Sequence, residues 1–333
     1  MIAALFVAVL GFLPIVNWIP GGREAPWYAT VAGGWASGTA IAIGLGVVLA
    51  IMSRKLPFLW RDGALASLEE SARSSGTAWL AGVAGIALVL YLVISQAVFS
   101  GRPLLVDEIV QVMQARIFAA GRLWLPTAPF PEFVSTLLMV DVGPRTYGQF
   151  PPGGPAMLAL GELLDATWMV TPVFGAISVL LFGLLLRDIE SRPMARLLAL
   201  LLFAFAPFVA LMAGSYMNHV TCGTWLLLGI VGLVRSAAAA KPRSGWAWLG
   251  GLGFGMAATI RPGDAAAFAI PAAVWWLASA VRDRTRWRDA FAAAAGVALP
   301  TAVLLWVNWR TTGAPLEFGY QVLWGKNVGL GFH

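Results

Sequence analysis

The sequence predicts an all-α polytopic membrane protein, with about nine transmembrane helices and a large outer loop containing juxtamembrane helices. Composition is the first reason: 59% of the 333 residues are apolar and only 11% are charged, whereas soluble domains carry about 25% charged residues. The second is the spacing of the apolar runs. A helix needs roughly 20 apolar residues to cross the hydrocarbon and must satisfy its own backbone there. Runs of suitable character cover 2–19, 34–53, 77–98, 167–186, 196–214, 220–234, 246–260, 265–281 and 290–308. The sixth and seventh are the shortest.

The third reason is charge placement. Fourteen of the 22 Lys and Arg residues fall in four short loops. These carry Arg54, Lys55, Arg61 and Arg73; Arg187, Arg192 and Arg196; Arg235, Lys241 and Arg243; and Arg282, Arg284, Arg286 and Arg288. By the positive-inside rule these loops are cytoplasmic, the N-terminus is cytoplasmic and the C-terminal tail lies outside. The net charge of +6 is then a topology signal. No basic stripe with interleaved aromatics accompanies it, so no nucleic-acid partner is expected.

The chain is expected to form a single transmembrane domain. Residues 1–76 read as a two-helix extension, 77–310 as a core carrying the outer loop 99–166, and 311–333 as an outer tail. No basic residue precedes Arg23 and no small-x-small cleavage site follows 1–19, which favours a retained anchor over a secretory signal. Cys222 is the single cysteine, so no internal disulfide is possible, and it lies in an apolar span without a visible partner base.

The outer loop is where chemistry is expected, because long loops in compact proteins are usually functional. Ile109, Val112, Met113, Ile117 and Ala120 recur at helical spacing, which predicts an amphipathic helix over 107–120, ended by Gly121 and lying in the interface plane. Pro126, Pro129, Pro131 and Pro144 impose irregular backbone. Residues 147–155, Tyr-Gly-Gln-Phe-Pro-Pro-Gly-Gly-Pro, lead into a short apolar helix over 156–166 that carries Glu162 and Asp165. Acids among apolar residues need water or a partner, and these two are expected to face water. Gly250-Gly-Leu-Gly-Phe-Gly255 lies inside a span and departs from a dinucleotide fingerprint; Gly251 and Gly255 fit close helix packing.

Asp107-Glu108 stands at the start of the amphipathic helix. Asp107 suits an N-cap there, and Glu108 suits the positive end of the helix dipole. A carboxylate fixed at a membrane surface also suits a general base or a metal ligand. A divalent cation would find one close acidic pair, too few ligands to define a site. With only His219 and His333, a His-rich zinc site is excluded. Asn218-His219, between the fifth and sixth spans, suits either a structural role or a hydrogen bond to a phosphate or sugar.

Pro103-Leu-Leu-Val-Asp-Glu-Ile-Val-Gln-Val-Met-Gln-Ala-Arg-Ile-Phe-Ala-Ala-Gly-Arg-Leu-Trp124 resembles the first outer loop of C-type (GT-C) glycosyltransferases. The similarity is to the branch of protein O-mannosyltransferases and lipid A aminoarabinose transferases. Gln149-Phe-Pro-Pro-Gly-Gly-Pro-Ala-Met-Leu-Ala-Leu160 resembles that branch's Pro-Gly-x-Pro segment, and Thr259-Ile-Arg-Pro262 its recurring Arg-Pro. The resemblance spans roughly 77–310. It implies inverting transfer of a sugar from a polyprenyl-phosphate donor to a lipid, glycan or protein acceptor outside the cytoplasm, in a bacterial inner membrane. It implies Asp107 as the catalytic carboxylate, with Glu108 as a helper. A cation must then face the leaving phosphate: Arg261 is the first candidate, Arg145, beside Tyr147, the second, and His219 a further ligand. That branch usually carries further helices or a soluble domain beyond the point matching His333, so the sequence reads as either a truncated chain or a minimal member. The competing classes are a transporter or flippase of a lipid-linked or small solute, which would show repeats and midplane charges, and a non-catalytic membrane subunit.

Overall fold

The computed structural model describes residues 78–130, 133, 136–239, 242–280 and 286–325, together with positions 44, 47, 48 and 51. The expected spans 2–19 and 34–53, the retained anchor and the end of the tail therefore lie essentially outside the described residues. The chain divides into two compact units, Met1–Ser74 and Ser75–His333.

The elements of the second unit, in chain order, are α1 (Ala78–Ala97), α2 (Val106–Ala119), β1 (Leu125–Pro126), β2 (Met139–Val142), β3 (Arg145–Gly148), α3 (Gly153–Glu162), α4 (Thr167–Ile189), α5 (Pro193–Phe205), α6 (Pro207–Gly214), α7 (His219–Ala238), α8 (Ser244–Ile260), α9 (Pro262–Ala280), α10 (Trp287–Thr312) and α11 (Gly319–Trp324). The unit is mostly helical, with one correction to the all-α expectation. β1, β3 and β2 form a small antiparallel sheet in that order, with Val140 opposite Tyr147 and Thr146 opposite Asp141. Gly143, at φ +56, turns the β2–β3 hairpin, a conformation that suits glycine.

Four helices among the described residues are long and apolar enough to cross a membrane: α1, α4, α7 and α10. A fifth results if α5 and α6 form one span, although they meet at 47°. The break follows from Pro207, which disfavours helical backbone at Ala206 and supplies no N–H. The expected continuous run 196–214 is thus bent. α8, at 17 residues, is slightly shorter than these spans.

Two clusters carry the helical packing. α1, α4, α5 and α6 meet through Leu80, Ala87, Tyr91, Val179, Leu200 and Ala213. The Tyr91 hydroxyl donates to the Ala204 carbonyl at 2.6 Å, beside the α5–α6 break. The second cluster joins α7, α8 and α9 through Leu226, Phe254, Ala257, Ile260 and Trp276. The most apolar stretches of α4 and α7 are 50% and 56% buried, against 28% for α1 and 22% for α10, so α4 and α7 are the central helices. The outer pair leaves Val89, Val93, Phe291 and Leu299 more than half exposed, as a bilayer-facing surface requires.

α8 touches both neighbours through glycine. A Cβ on Gly232 would stand 2.4 Å from the Gly250 nitrogen, and one on Gly253 2.4 Å from the Gly229 nitrogen, on the α7 side. On the α10 side, a Cβ on Gly251 would stand 1.9 Å from the Ala293 carbonyl oxygen, and one on Gly296 2.3 Å from that of Trp248. Gly251 and Gly255 thus serve close packing, as expected, and Gly250 and Gly253 give α8 a second glycine face that was not expected.

At one end of this bundle polar groups form a clasp. Asp289, fully buried, accepts from the Ser236 and Ser244 hydroxyls at 3.1 and 2.9 Å and from the Arg243 N–H at 3.2 Å. Arg286 donates to the last carbonyls of α7, at Ser236, Ala237 and Ala239. Arg235 pairs with Asp188 at 2.7 Å. This is the end that carries the basic loops.

Gly251→Ala is expected to lower stability in detergent by about 1–3 kcal/mol through overpacking. Gly82→Ala, where a Cβ meets nothing within 4 Å, should be neutral or stabilise by up to about 1 kcal/mol, from helix propensity. Thermal unfolding of the two variants side by side checks the seam; equal shifts would refute it.

Candidate functional site

At the end opposite the clasp, the start of α2, the start of α7 and the α8–α9 junction meet around a cavity of about 330 Å³, whose walls include Asp107, Gln111, Asn218, His219, Arg261 and Asp264. Three predicted site residues therefore converge: Asp107, His219 and Arg261.

α2 begins before the expected 107, and its N-cap is Leu105, not Asp107, which corrects the capping role assigned to that aspartate. Glu108 does the capping from the third position. Its Oε2 accepts from the Leu104 and Leu105 N–H groups at 2.8 and 3.2 Å, and Oε1 from the Tyr216 N–H at 3.3 Å. With both oxygens so engaged and the residue only 2% exposed, Glu108 is a structural acid here. An acidic cation pair with Asp107 does not fit, and no group of three or more metal-binding side chains occurs among the described residues. Asp107 is only partly buried. Among the described residues it makes no hydrogen bond, so its carboxylate is available to the cavity. The adjacent acids thus divide into one that holds the backbone and one that does not.

Nor does α2 lie on a surface with one polar face. Val112 and Ala115 pack on Leu158 and Ala159 of α3, and Val110 and Ile117 on Met139. Glu108, Gln111 and Gln114 point inward, at 2%, 2% and 3% exposure. Gln114 accepts from the Gly148 N–H at 2.8 Å and donates to the Leu123 carbonyl at 3.1 Å.

The Pro151-Pro152-Gly153-Gly154-Pro155 run explains how α3 reaches the cavity. α3 begins at Gly153, three residues before the expected start, and ends at Glu162. A Cβ on Gly153 would stand 2.1 Å from Thr259 Oγ1, and one on Gly154 2.6 Å from Gln111 Oε1. Two consecutive residues without side chains let α3 press between α2 and the end of α8. Glu162 pairs with Arg116 at 3.4 Å instead of facing only water, while Asp165 is exposed at φ +51.

Arg261 follows the last turn of α8 and donates from Nε to Asp264. Its NH1 lies 3.2 Å from His219 Nε2. The guanidinium carries no lone pair, so His219 accepts through Nε2 and its proton sits on Nδ1. That Nδ1 is buried with no partner.

Arg145 and Tyr147 are placed away from this cavity. Arg145 donates to the Arg310 and Thr311 carbonyls at 2.9 and 3.2 Å, at the C-terminus of α10, and stacks over Trp124 at 4.8 Å. It caps a helix. Tyr147 lines a separate void of about 20 Å³, and its hydroxyl has no partner. Burial, reinforced by Glu317 nearby, pushes that hydroxyl up to about 12, so it stays neutral at physiological pH. Gln111, Asp264 and Tyr320 are wall residues that were not expected as ligands. Gln111 was findable, because it stands one turn after Asp107 and shares its helix face.

A second cavity, of about 290 Å³, lies between α4, the α5–α6 break and α7, and its wall is apolar apart from Ser178 and His219. His219 thus borders both cavities.

Glu108→Ala leaves three backbone N–H groups without an acceptor and should cost about 1–3 kcal/mol, read as a lower melting temperature in detergent. Asp107→Ala should move it little. The reverse order would overturn the division of roles.

Comparisons with protein-family models, with curated proteins and with solved structures found no match.

Proposed function

We propose that the chain is an inverting glycosyltransferase of the C type, moving a sugar from a polyprenyl-phosphate donor to a lipid, glycan or protein acceptor on the non-cytoplasmic face of a bacterial inner membrane. The observation that carries this reading is the pair of cavities sharing His219: one lined by Asp107, Arg261 and Asp264, the other apolar. A ligand with a charged, hydroxylated head and a hydrocarbon tail suits such a pair. The resemblance of the 103–124 and 149–160 segments to that class supports the same reading.

The chemistry assigns each side chain one task. The acceptor hydroxyl oxygen attacks the anomeric carbon while the Asp107 carboxylate takes the hydroxyl proton. The bond from that carbon to the phosphate oxygen breaks, and the polyprenyl phosphate leaves with the bonding pair. Arg261, held by Asp264, faces the negative charge that develops on it. Attack opposite the leaving group inverts the anomeric centre.

The reading includes nine spans, with 99–166 as an outer loop and the N-terminus cytoplasmic. In the unit Ser75–His333, the basic clasp and the cavity at opposite ends support that orientation. The flippase alternative draws on the α5–α6 break, because Phe203, Phe208 and Val209 beside it line the apolar cavity, and broken helices are common in transporters. Sugar transfer to acceptor in sealed vesicles, against movement of the intact donor across them, distinguishes the two.

Asp107→Asn is expected to remain folded, since this carboxylate makes no hydrogen bond among the described residues, and to lose transfer by about 100- to 10,000-fold. Radiolabelled transfer in membranes measures it; wild-type turnover by folded Asp107→Asn would end the general-base assignment.

Orientation is tested by single cysteines in a Cys222→Ala background. Ser191→Cys is expected to label only from the cytoplasmic side and Thr127→Cys only from the outside. Labelling of both from one side would refute the topology.

A further inference from the structure

α2 carries two inward glutamines three residues apart, both nearly inaccessible: Gln111 at 2% and Gln114 at 3%. Both ends of Gln114 are bonded, tying α2 to Gly148 and Leu123. Gln111 is different. Its Oε1 is buried without a hydrogen-bond partner, and its residue forms part of the cavity wall that includes Asp107, Asn218 and Arg261. Buried side-chain oxygens are bonded in the large majority of cases, and an orphan calls for an explanation. Packing does not supply one. An apolar side chain of similar length would fill the same space without the desolvation cost of an unmet carbonyl.

We infer that Gln111 recognises the transferred sugar, its carboxamide turning from Gly154 into the cavity so that its carbonyl accepts a hydrogen bond from a sugar hydroxyl. The inference rests on the lipid-linked sugar reading above and adds the residue that distinguishes a glycosylated lipid phosphate from a bare one. Position supports the donor sugar over the acceptor. Asp107, partly exposed, stands at the first turn of α2, where an arriving hydroxyl must meet it. Gln111 is one turn further along the same face and almost fully enclosed, so it contacts what is already bound. Arg261, on the same cavity, would hold the phosphate to which that sugar is attached. Gly154 keeps the arrangement open: a Cβ there would stand 2.6 Å from Gln111 Oε1, displacing the carboxamide.

The test is direct binding without an acceptor, so that turnover is not required. The full chain in detergent is titrated with farnesyl phosphate and with farnesyl phosphoryl-mannose, -glucose and -galactose, read by thermal shift. Wild type is expected to prefer at least one glycosylated lipid to farnesyl phosphate by about tenfold, at the upper end for a neutral hydrogen bond. Gln111→Met should abolish that preference, retain farnesyl phosphate binding, and melt no lower than wild type, since its orphan oxygen contributes no bond to the free protein. Gln114→Met, which removes two bonds, should melt lower while keeping the preference. If wild type and Gln111→Met show the same preference, the inference is overturned and the lipid-phosphate reading stands. If wild type binds farnesyl phosphate but prefers no sugar form, the inference also falls alone. If wild type binds none of the four, the reading beneath it falls and takes the inference with it.

Discussion

Enclosing the Glu108 carboxylate is the constraint on which the candidate site depends. A carboxylate at this degree of burial is tolerable only where donors replace its lost water. Here the donors are the two N–H groups at the start of α2 and the Tyr216 N–H at the turn before α7. One side chain therefore terminates a helix and ties it to a segment 108 residues away. Once Glu108 faces Tyr216, helical geometry leaves its neighbour about 100° around the axis, so Asp107 faces the cavity instead. Asn218 and His219 come shortly after Tyr216, which brings them to the same cavity. The Tyr216 hydroxyl adds a bond to the Gly101 carbonyl at 2.7 Å, holding the start of the 98–166 segment against the same turn.

The other half of the site depends on how closely α8 lies between α7 and α10. Where glycines replace side chains, backbones come into contact, and neighbouring helices hold one axial register. That register sets the height of Arg261 relative to His219, since the two sit at opposite termini of antiparallel helices. At the far end of the same helices, Asp289, Arg286 and Arg235 close the clasp. Charges that would be costly in mid-bundle are thus gathered at the two ends, and the middle of α7 and α8 holds mostly small and apolar side chains. Thr224 is the polar exception, and its hydroxyl is matched by Ser178 at 2.6 Å and the Phe174 carbonyl at 2.9 Å.

How far the sequence was legible depends on the range of each interaction. Helix α2 could be read from the spacing of Val112 and Ile117, and the α8 packing face from Gly251 and Gly255, because both are periodic local signals. Asp107, His219 and Arg261 were legible as candidates because each is polar at the edge of an apolar run. Arg145 could be misread for the same reason: what decides its role is the C-terminus of α10, 165 residues away. Glu108 looked like a helper to its neighbour because adjacent acids share a signal until the fold separates them. The three-stranded sheet escaped notice, since strands of two and four residues carry too little alternation to stand out among prolines. Gln111 shares a helix face with Asp107 and was legible by that spacing, although an amphipathic pattern treats glutamine as a solvent-facing residue.

Electrostatics give the arrangement a direction. Asp107 and Asp264 contribute two negative charges to the cavity wall and Arg261 one positive charge. The proposed donor, a phosphodiester with a single negative charge, would therefore enter a site that is not strongly attractive to it. Asp264 does more than oppose that charge: by holding Nε it orients the guanidinium, while His219 accepts from NH1 without adding charge. In the transfer proposed above, the lipid phosphate gains negative charge as the sugar departs, and Asp107 loses its own on taking the proton. The balance around Arg261 then shifts towards the leaving group at the moment its charge grows. An interaction that strengthens along the reaction coordinate lowers the barrier, whereas one already complete in the bound donor only tightens binding. Under that proposal, a partly neutralised arginine sharing a cavity with a proton-accepting aspartate is better placed for departure of the phosphate than an unopposed cation, which would retain both the donor and the product.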